Sequence, residues 1–209
     1  MVLAGPSGAG KSRLAQRLED RFGWPTLRLD DFYRDGDEPG LPLIHEGANA
    51  GLVDWDHPGT WHCEDAEAAL LELCRTGATD VPVYSISESR RTGAQRLDIG
   101  DAAVFCAEGI FAPDVVRACR EAGVLEAAYC VTQHRAVTFW RRLSRDLREH
   151  RKPPLVLMRR GLALARAQRD VVRRAVDAGC RVATGDKAFT EIVAAHAGDR
   201  QPGKRGLAH

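Results

Sequence analysis

The chain has 209 residues, 44% of them hydrophobic, enough for one compact domain to bury a core without disulfide or metal staples. A formal net charge of +1 gives no electrostatic reason for nucleic acid or an anionic membrane to be the main partner. The six cysteines (Cys63, Cys74, Cys106, Cys119, Cys130, Cys180) form no Cys-x-x-Cys pair or metal-ligand spacing, and no long apolar run or signal peptide occurs, so reduced thiols and a cytoplasmic location are expected.

Met1-Val2-Leu3-Ala4 is a short apolar run that can end a buried strand. It begins at the initiator Met, so either further residues precede it or the strand is abbreviated. Gly5-Pro6-Ser7-Gly8-Ala9-Gly10-Lys11-Ser12 follows, a full match to the phosphate-cradling P-loop pattern G-x-x-x-x-G-K-[ST]. Glycines and a small Ala let successive N–H groups point into one concavity, and the positive end of the next helix faces the same spot. Lys11 is expected on the β- and γ-phosphates and Ser12 on Mg²⁺, with Gly5, Ser7, Gly8, Ala9 and Gly10 around the nucleotide. The helix should run from Ser12 to Phe22 with Leu14, Ala15, Leu18 and Phe22 on one face. The chain is therefore expected to bind a nucleoside triphosphate.

Thr26 to Asp31 reads as a strand delivering carboxylates at its end, and Arg34 to Thr60 as a long loop of functional type. Glu64 to Arg75 is an amphipathic helix closed by Gly77. Val81 to Ile86 is a short strand, with Gln95 to Ile99 as its return. Ala102 to Ala107 is a continuous apolar run ending at Glu108-Gly109, the look of a central parallel strand with one carboxylate at its tip. Asp114 to Ala122 reads as helix and Ala127 to Val131 as a buried strand.

Arg135 to about Arg151 and Leu155 to Ala178 read as helices, with twelve Lys/Arg against three Asp/Glu between Arg141 and Arg174. Arg181 to Thr184 is a last strand, followed by a Gly185-Asp186 turn and a helix through Ala195. Gly198 to His209 is expected to be a disordered tail. Strands alternating with helices predict a parallel α/β sheet with ligands at the strands' carboxyl ends.

Several motifs in this order resemble the uridine kinase family of P-loop kinases, relatives of phosphoribulokinase, pantothenate kinase and nicotinamide riboside kinase. The resemblance implies a three-layer α/β/α fold over residues 1–197, with a five-stranded mainly parallel sheet, a small β-hairpin substrate subdomain and a helical lid at about 141–160. Asp30-Asp31-Phe32-Tyr33 resembles the family's Asp-x-Phe-Tyr, which implies a base near the metal and the attacking hydroxyl. Spacing places that base at Asp30, with Asp31 as the alternative on the substrate side and Tyr33 bordering the nucleoside. Trp55-Asp56-His57-Pro58 resembles Phe-Asp-His-Pro, implying Asp56 on the ribose hydroxyls beside His57. Pro82-Val83-Tyr84 resembles the Pro-Val-Tyr along the base pocket.

The likeness then weakens. The family continues with a Phe and a base-reading His before Ser-Arg, whereas this chain has Ser85-Ile86-Ser87-Glu88-Ser89-Arg90. Arg90 is either a site residue or a solvated arginine. Ala107-Glu108-Gly109-Ile110 resembles Phe-Glu-Gly-Ile, whose Glu holds Mg²⁺ through water. Arg141-Arg142-Leu143-Ser144-Arg145-Asp146 resembles the lid's Arg-Arg-x-x-Arg-Asp, implying Arg142 and Arg145 on the transferring phosphoryl. Arg141, which turns away from that face, is counted with the nucleotide. Gly185 and Asp186 lie in the segment implied to pack on adenine.

These readings give an ATP- and Mg²⁺-dependent nucleoside kinase acting on the 5′-hydroxyl of a small-molecule substrate, with self-association left open. A kinase of another small alcohol (nicotinamide riboside, pantothenate or a sugar) is the alternative, and an NTP-binding module without an acceptor is the third. The Asn/Thr-Lys-x-Asp guanine reader of GTPase switches does not occur.

Overall fold

The computed structural model describes residues 1–46, 50–133 and 161–198. In chain order the elements are β1 (Val2–Ala4), α1 (Lys11–Phe22), β2 (Thr26–Arg28), α2 (Cys63–Thr76), β3 (Ala78–Ser85), β4 (Arg90–Asp98), β5 (Cys106–Glu108), α3 (Ala112–Glu121), β6 (Ala128–Val131), α4 (Gly161–Asp177), β7 (Arg181–Ala183) and α5 (Gly185–Ala195). Five strands form one parallel sheet in the order β2-β5-β1-β6-β7. The antiparallel pair β3–β4 stands apart as a two-stranded ribbon.

Alternation along the strands sends side chains to two cores. Val2, Leu27, Ala107 and Cys130 face one way, against Leu70 and Leu73 of α2, Val115 and Val116 of α3, and Val171 of α4. Leu3, Cys106, Tyr129 and Val131 face the other way, against Leu14, Leu18 and Phe22 of α1 and Ile192 of α5. Each buried Leu on these faces is worth about 1.5–3 kcal/mol of transfer free energy, so the helix layers are held mainly by their apolar stripes. The expected three-layer sheet is thus present. The residues read as the basic lid helix lie outside the described residues, as does the tail from 199 onward.

Several expected boundaries move. The strand expected over 102–107 is ladder only at Cys106–Glu108, because its neighbours β1 and β2 are themselves three residues long and leave nothing for 102–105 to pair with. The central place belongs to β1, with β5 beside it. The strand expected to reach Asp31 stops at Arg28, and Leu29–Phe32 winds into a 3-10 turn carrying the acids. The ribbon is longer than expected on both strands. Gly185-Asp186 is not a turn: the Thr184 hydroxyl accepts from Lys187 N–H at 3.3 Å and caps a helix that starts at Gly185.

Candidate active site

The nucleotide side is built by backbone. Gly5 has φ 137°, and a Cβ there would run into the Val131 carbonyl oxygen on β6, so only glycine fits. Ala9 is fully buried and its N–H closes on the Pro6 carbonyl at 3.1 Å. α1 then starts from Gly10 with no side-chain cap and no acid in its first turn, so no side chain competes with an anion at its positive end. Lys11 is buried, and its Nζ donates to the carbonyls of Gly5 (2.9 Å) and Pro6 (3.2 Å).

Three further side chains converge from three elements. Ser12 Oγ donates to Glu108 Oε1 at 3.0 Å, linking α1 to the tip of β5. Glu108 is only 6% exposed, and burial pushes its carboxyl above the ordinary range, with Lys11 pulling it back and Asp30 adding to the rise. Asp30 Oδ1 accepts from the Ile110 N–H at 3.4 Å, just past Glu108. Between them, a Cβ on Gly109 would stand 3.0 Å from Asp30 Oδ1 and from Leu29 Cβ, so the glycine lets the two strand ends close.

The adjacent acids divide the work. Asp31 is buried, with Arg28 Nε 3.8 Å away and its charge also supported by the backbone N–H of Tyr84. Burial is the larger effect and raises its pKa. Asp30 therefore stands at the strand tips beside Glu108, while Asp31 ties the 3-10 turn to the ribbon.

The residues expected around the acceptor include an aromatic group. Tyr33 sits with its ring 5.6 Å from Trp55, 5.7 Å from Tyr84 and 5.7 Å from Phe111, and Phe111 stacks on Trp61 at 5.2 Å. Both phenols donate to backbone: Tyr33 to the Trp55 carbonyl and Tyr84 to the Arg34 carbonyl, each at 3.0 Å. Burial pushes the Tyr84 hydroxyl up to about 12. Asp56 N–H donates to Asp54 Oδ1 at 3.3 Å, and His57 Nδ1 accepts from Gly59 N–H at 3.0 Å, holding the turn at Pro58–Thr60. Arg90 is exposed at the start of β4. Across the molecule, Asp186 Oδ1 pairs with Arg17 at 2.7 Å and is 88% exposed, while Gly185 lies in the first turn of α5. Arg141, Arg142 and Arg145 lie outside the described residues.

Among the described residues no group of three or more His, Cys, Asp or Glu could hold a metal alone. Arg34 pairs with Glu38 four residues on, a spacing that the sequence itself displays.

A model of the phosphoribulokinase/uridine kinase family matches residues 1–152. A uridine kinase of Saccharomyces cerevisiae is 28% identical over 148 residues, a match covering 69% of this chain but only 28% of the yeast protein. A uridine kinase of Shewanella pealeana is 28% identical over 156 residues, covering 70% of this chain and 68% of that one. A crystal structure from Silicibacter sp. TM1040, provisionally described as a fructose transport system kinase, superposes with a TM-score of 0.53 at 19% identity, covering 88% of this chain and 86% of the other. At that identity the likeness is one of fold.

Proposed function

Because the chain belongs to the phosphoribulokinase/uridine kinase family and is a P-loop kinase of small molecules, we propose that it transfers the γ-phosphoryl group of ATP to the 5′-hydroxyl of a uridine- or cytidine-like nucleoside. The observation that carries this reading is the meeting of Ser12, Glu108 and Asp30, from α1, β5 and the turn after β2, beside the P-loop lysine.

In this reading Lys11 leaves its two loop carbonyls for the β- and γ-phosphate oxygens and offsets their charge. Ser12 and Glu108, with Asp30 beside them, would hold Mg²⁺, which would supply positive charge against the phosphates. Asp30 takes the proton of the attacking hydroxyl as the new O–P bond forms and the bond to the β-phosphate oxygen breaks. Asp56 accepts from the ribose hydroxyls, with His57 fixing its turn. Gly185 and Asp186 border adenine. Arg142 and Arg145 supply positive charge to the transferring group, with Arg141 on the nucleotide. A cytoplasmic setting suits six cysteines that are all unpaired.

A panel of nucleosides, vitamins and sugars in an ADP-release assay tests the proposal. ADP release with uridine or cytidine, lowered about 10²–10⁴-fold by Asp30→Asn with ATP affinity kept, is the expected outcome. Release only with a non-nucleoside alcohol would establish the second reading. One observation favours that alternative: where the family keeps a Phe and a base-reading His, Ser85, Ser87 and Glu88 hydrogen-bond to one another. Tyr84, behind them, is buried with its hydroxyl committed.

A further inference from the structure

Arg34, directly after Tyr33, reaches both ends of the long loop. Its Nε donates to Glu38 Oε2 at 2.9 Å, Nη2 to the Pro39 carbonyl at 2.8 Å, and Nη1 to the Gly59 carbonyl at 3.1 Å. Its backbone N–H donates to the Thr60 carbonyl at 2.8 Å, and its carbonyl accepts from the Tyr84 hydroxyl at 3.0 Å. All three guanidinium nitrogens are thus used inside the protein.

The residues after it extend the clip. Glu38 Oε1 accepts from Asp35 N–H at 2.9 Å and lies 3.5 Å from His62 Nε2 at the head of α2. Arg34 is the main cause of the lowered pKa of Glu38, so the carboxylate end of the clip is charged across the neutral range. Asp35 Oδ1 accepts from Arg91 N–H at 2.7 Å, and Gly36 N–H donates to the Ser89 carbonyl at 2.6 Å, joining loop to ribbon. Ser89, which accepts that last bond, has φ 52°, a left-handed conformation uncommon for a residue with a side chain.

We propose that Arg34 is a positioning residue for the acceptor side of the cleft. Its planar fork closes the neck of the loop that carries Asp56, and its own carbonyl together with Asp35 and Gly36 ties that neck to the ribbon, so it acts on acceptor binding without touching the acceptor. The proposal rests on the kinase reading above. A lysine keeps the charge but is a point donor on a flexible stem, and cannot span Glu38, Pro39 and Gly59 together.

The test uses the full chain with Arg34→Lys and Arg34→Gln, and uridine as the acceptor. Both variants should raise KM for uridine about tenfold or more while kcat and KM for ATP stay within about threefold, the pattern of lost ground-state binding. The amides of Gly36, Asp54 and Thr60, each bonded within or from the loop, should exchange about tenfold faster, with those of β1 and β6 unchanged. A lysine variant indistinguishable from wild type, or a KM for ATP rising in step with that for uridine, overturns the proposal. If wild type phosphorylates neither uridine nor cytidine, the nucleoside reading fails. Amide exchange alone then decides Arg34: faster exchange confined to the loop upholds its role, and unchanged exchange removes it.

Discussion

On the nucleotide side of the cleft, position is inherited from the parallel sheet. Asp30 and Glu108 sit on or just past strand ends whose ladders fix them to one another, with Val2 opposite Ala107 and Arg28 opposite Glu108, and Lys11 and Ser12 open the helix that follows the β1 end. On the acceptor side the ladder contributes little. The loop after Tyr33 is held by scattered single bonds, backbone to backbone and side chain to backbone, and by isolated bridges, and the ribbon it meets is only two strands wide. Two-stranded ribbons are marginal on their own, so this side depends on a few named contacts. One face is thus bound to its motif by the fold, while the other can change its contacts without disturbing the sheet. The departures from the family's pattern fall on the second, at Ser85 to Arg90.

The largest break in this comparison is Lys11→Ala. With the charge gone from the phosphate cradle, kcat should fall about 10³-fold, while amide exchange in the acceptor loop keeps its wild-type rates. Loss of protection in that loop would show that the two sides are not built independently.

Glu108→Gln comes next, at about 10²-fold in rate, and it has a second signature in stability. Burial raises the Glu108 pKa in the folded chain, so the carboxylate gives up its proton less readily there than when unfolded. The stability tied to its protonated form is present below the ordinary Glu range of about 4.3 and is lost as pH rises through the elevated folded value. A glutamine escapes that loss. Thermal unfolding at neutral pH should therefore show Glu108→Gln at least as stable as wild type, with the gap closing as pH falls toward about 4. A less stable variant at neutral pH would mean that the attraction of Lys11 outweighs desolvation.

The same contrast governs what could be read from sequence. The P-loop and Glu108 were legible because each is a local pattern: a glycine run with Lys-Ser, and a charge after an apolar run. Which of Asp30 and Asp31 stands beside Glu108 has a cause that the spacing to Phe32-Tyr33 does not show. It lies in Gly109, some eighty residues on, whose missing side chain leaves room for one carboxylate. Strand ends were overrun at 102–105 and at 29–31 because a strand lasts only as long as its neighbours, which no single segment reveals. The cap at Thr184 was there to be seen. The Gly-Asp pair after it reads equally well as a turn, and the contacts of α5 with β6 and α1 decide for helix. Arg34 was the least legible, since its partners at Gly59 and Tyr84 are far along the chain.

Gly109→Ala probes where the two sides meet. The backbone there is not left-handed, so the glycine is needed for space alone. The added methyl, 3.0 Å from Asp30 Oδ1 and from Leu29 Cβ, must push the carboxylate or the turn aside. Displacement by a fraction of an ångström should cost about tenfold in kcat and about 1 kcal/mol in stability, with KM for ATP unchanged. Full activity would place the reacting hydroxyl away from Asp30.

Arg17 carries the smallest expected effect and sharpens the account of the nucleotide side. It joins α1 to α5 twice: Nη1 lies 2.7 Å from Asp186 Oδ1, and the guanidinium lies 3.8 Å above the Phe189 ring. Asp186 is 88% exposed, so water and salt screen the ion pair, and Asp186→Asn should cost less than about 0.5 kcal/mol. The contact with Phe189 is better shielded, and Arg17→Ala should cost about 1 kcal/mol, most of it insensitive to salt. Neither change should move KM for ATP by more than about threefold, because Leu14, Leu18 and Ile192, not these charges, hold α1 against α5. A tenfold rise with Asp186→Asn would mean that this carboxylate itself meets the nucleotide, and that adenine recognition rests on a side chain and not on the backbone at Gly185.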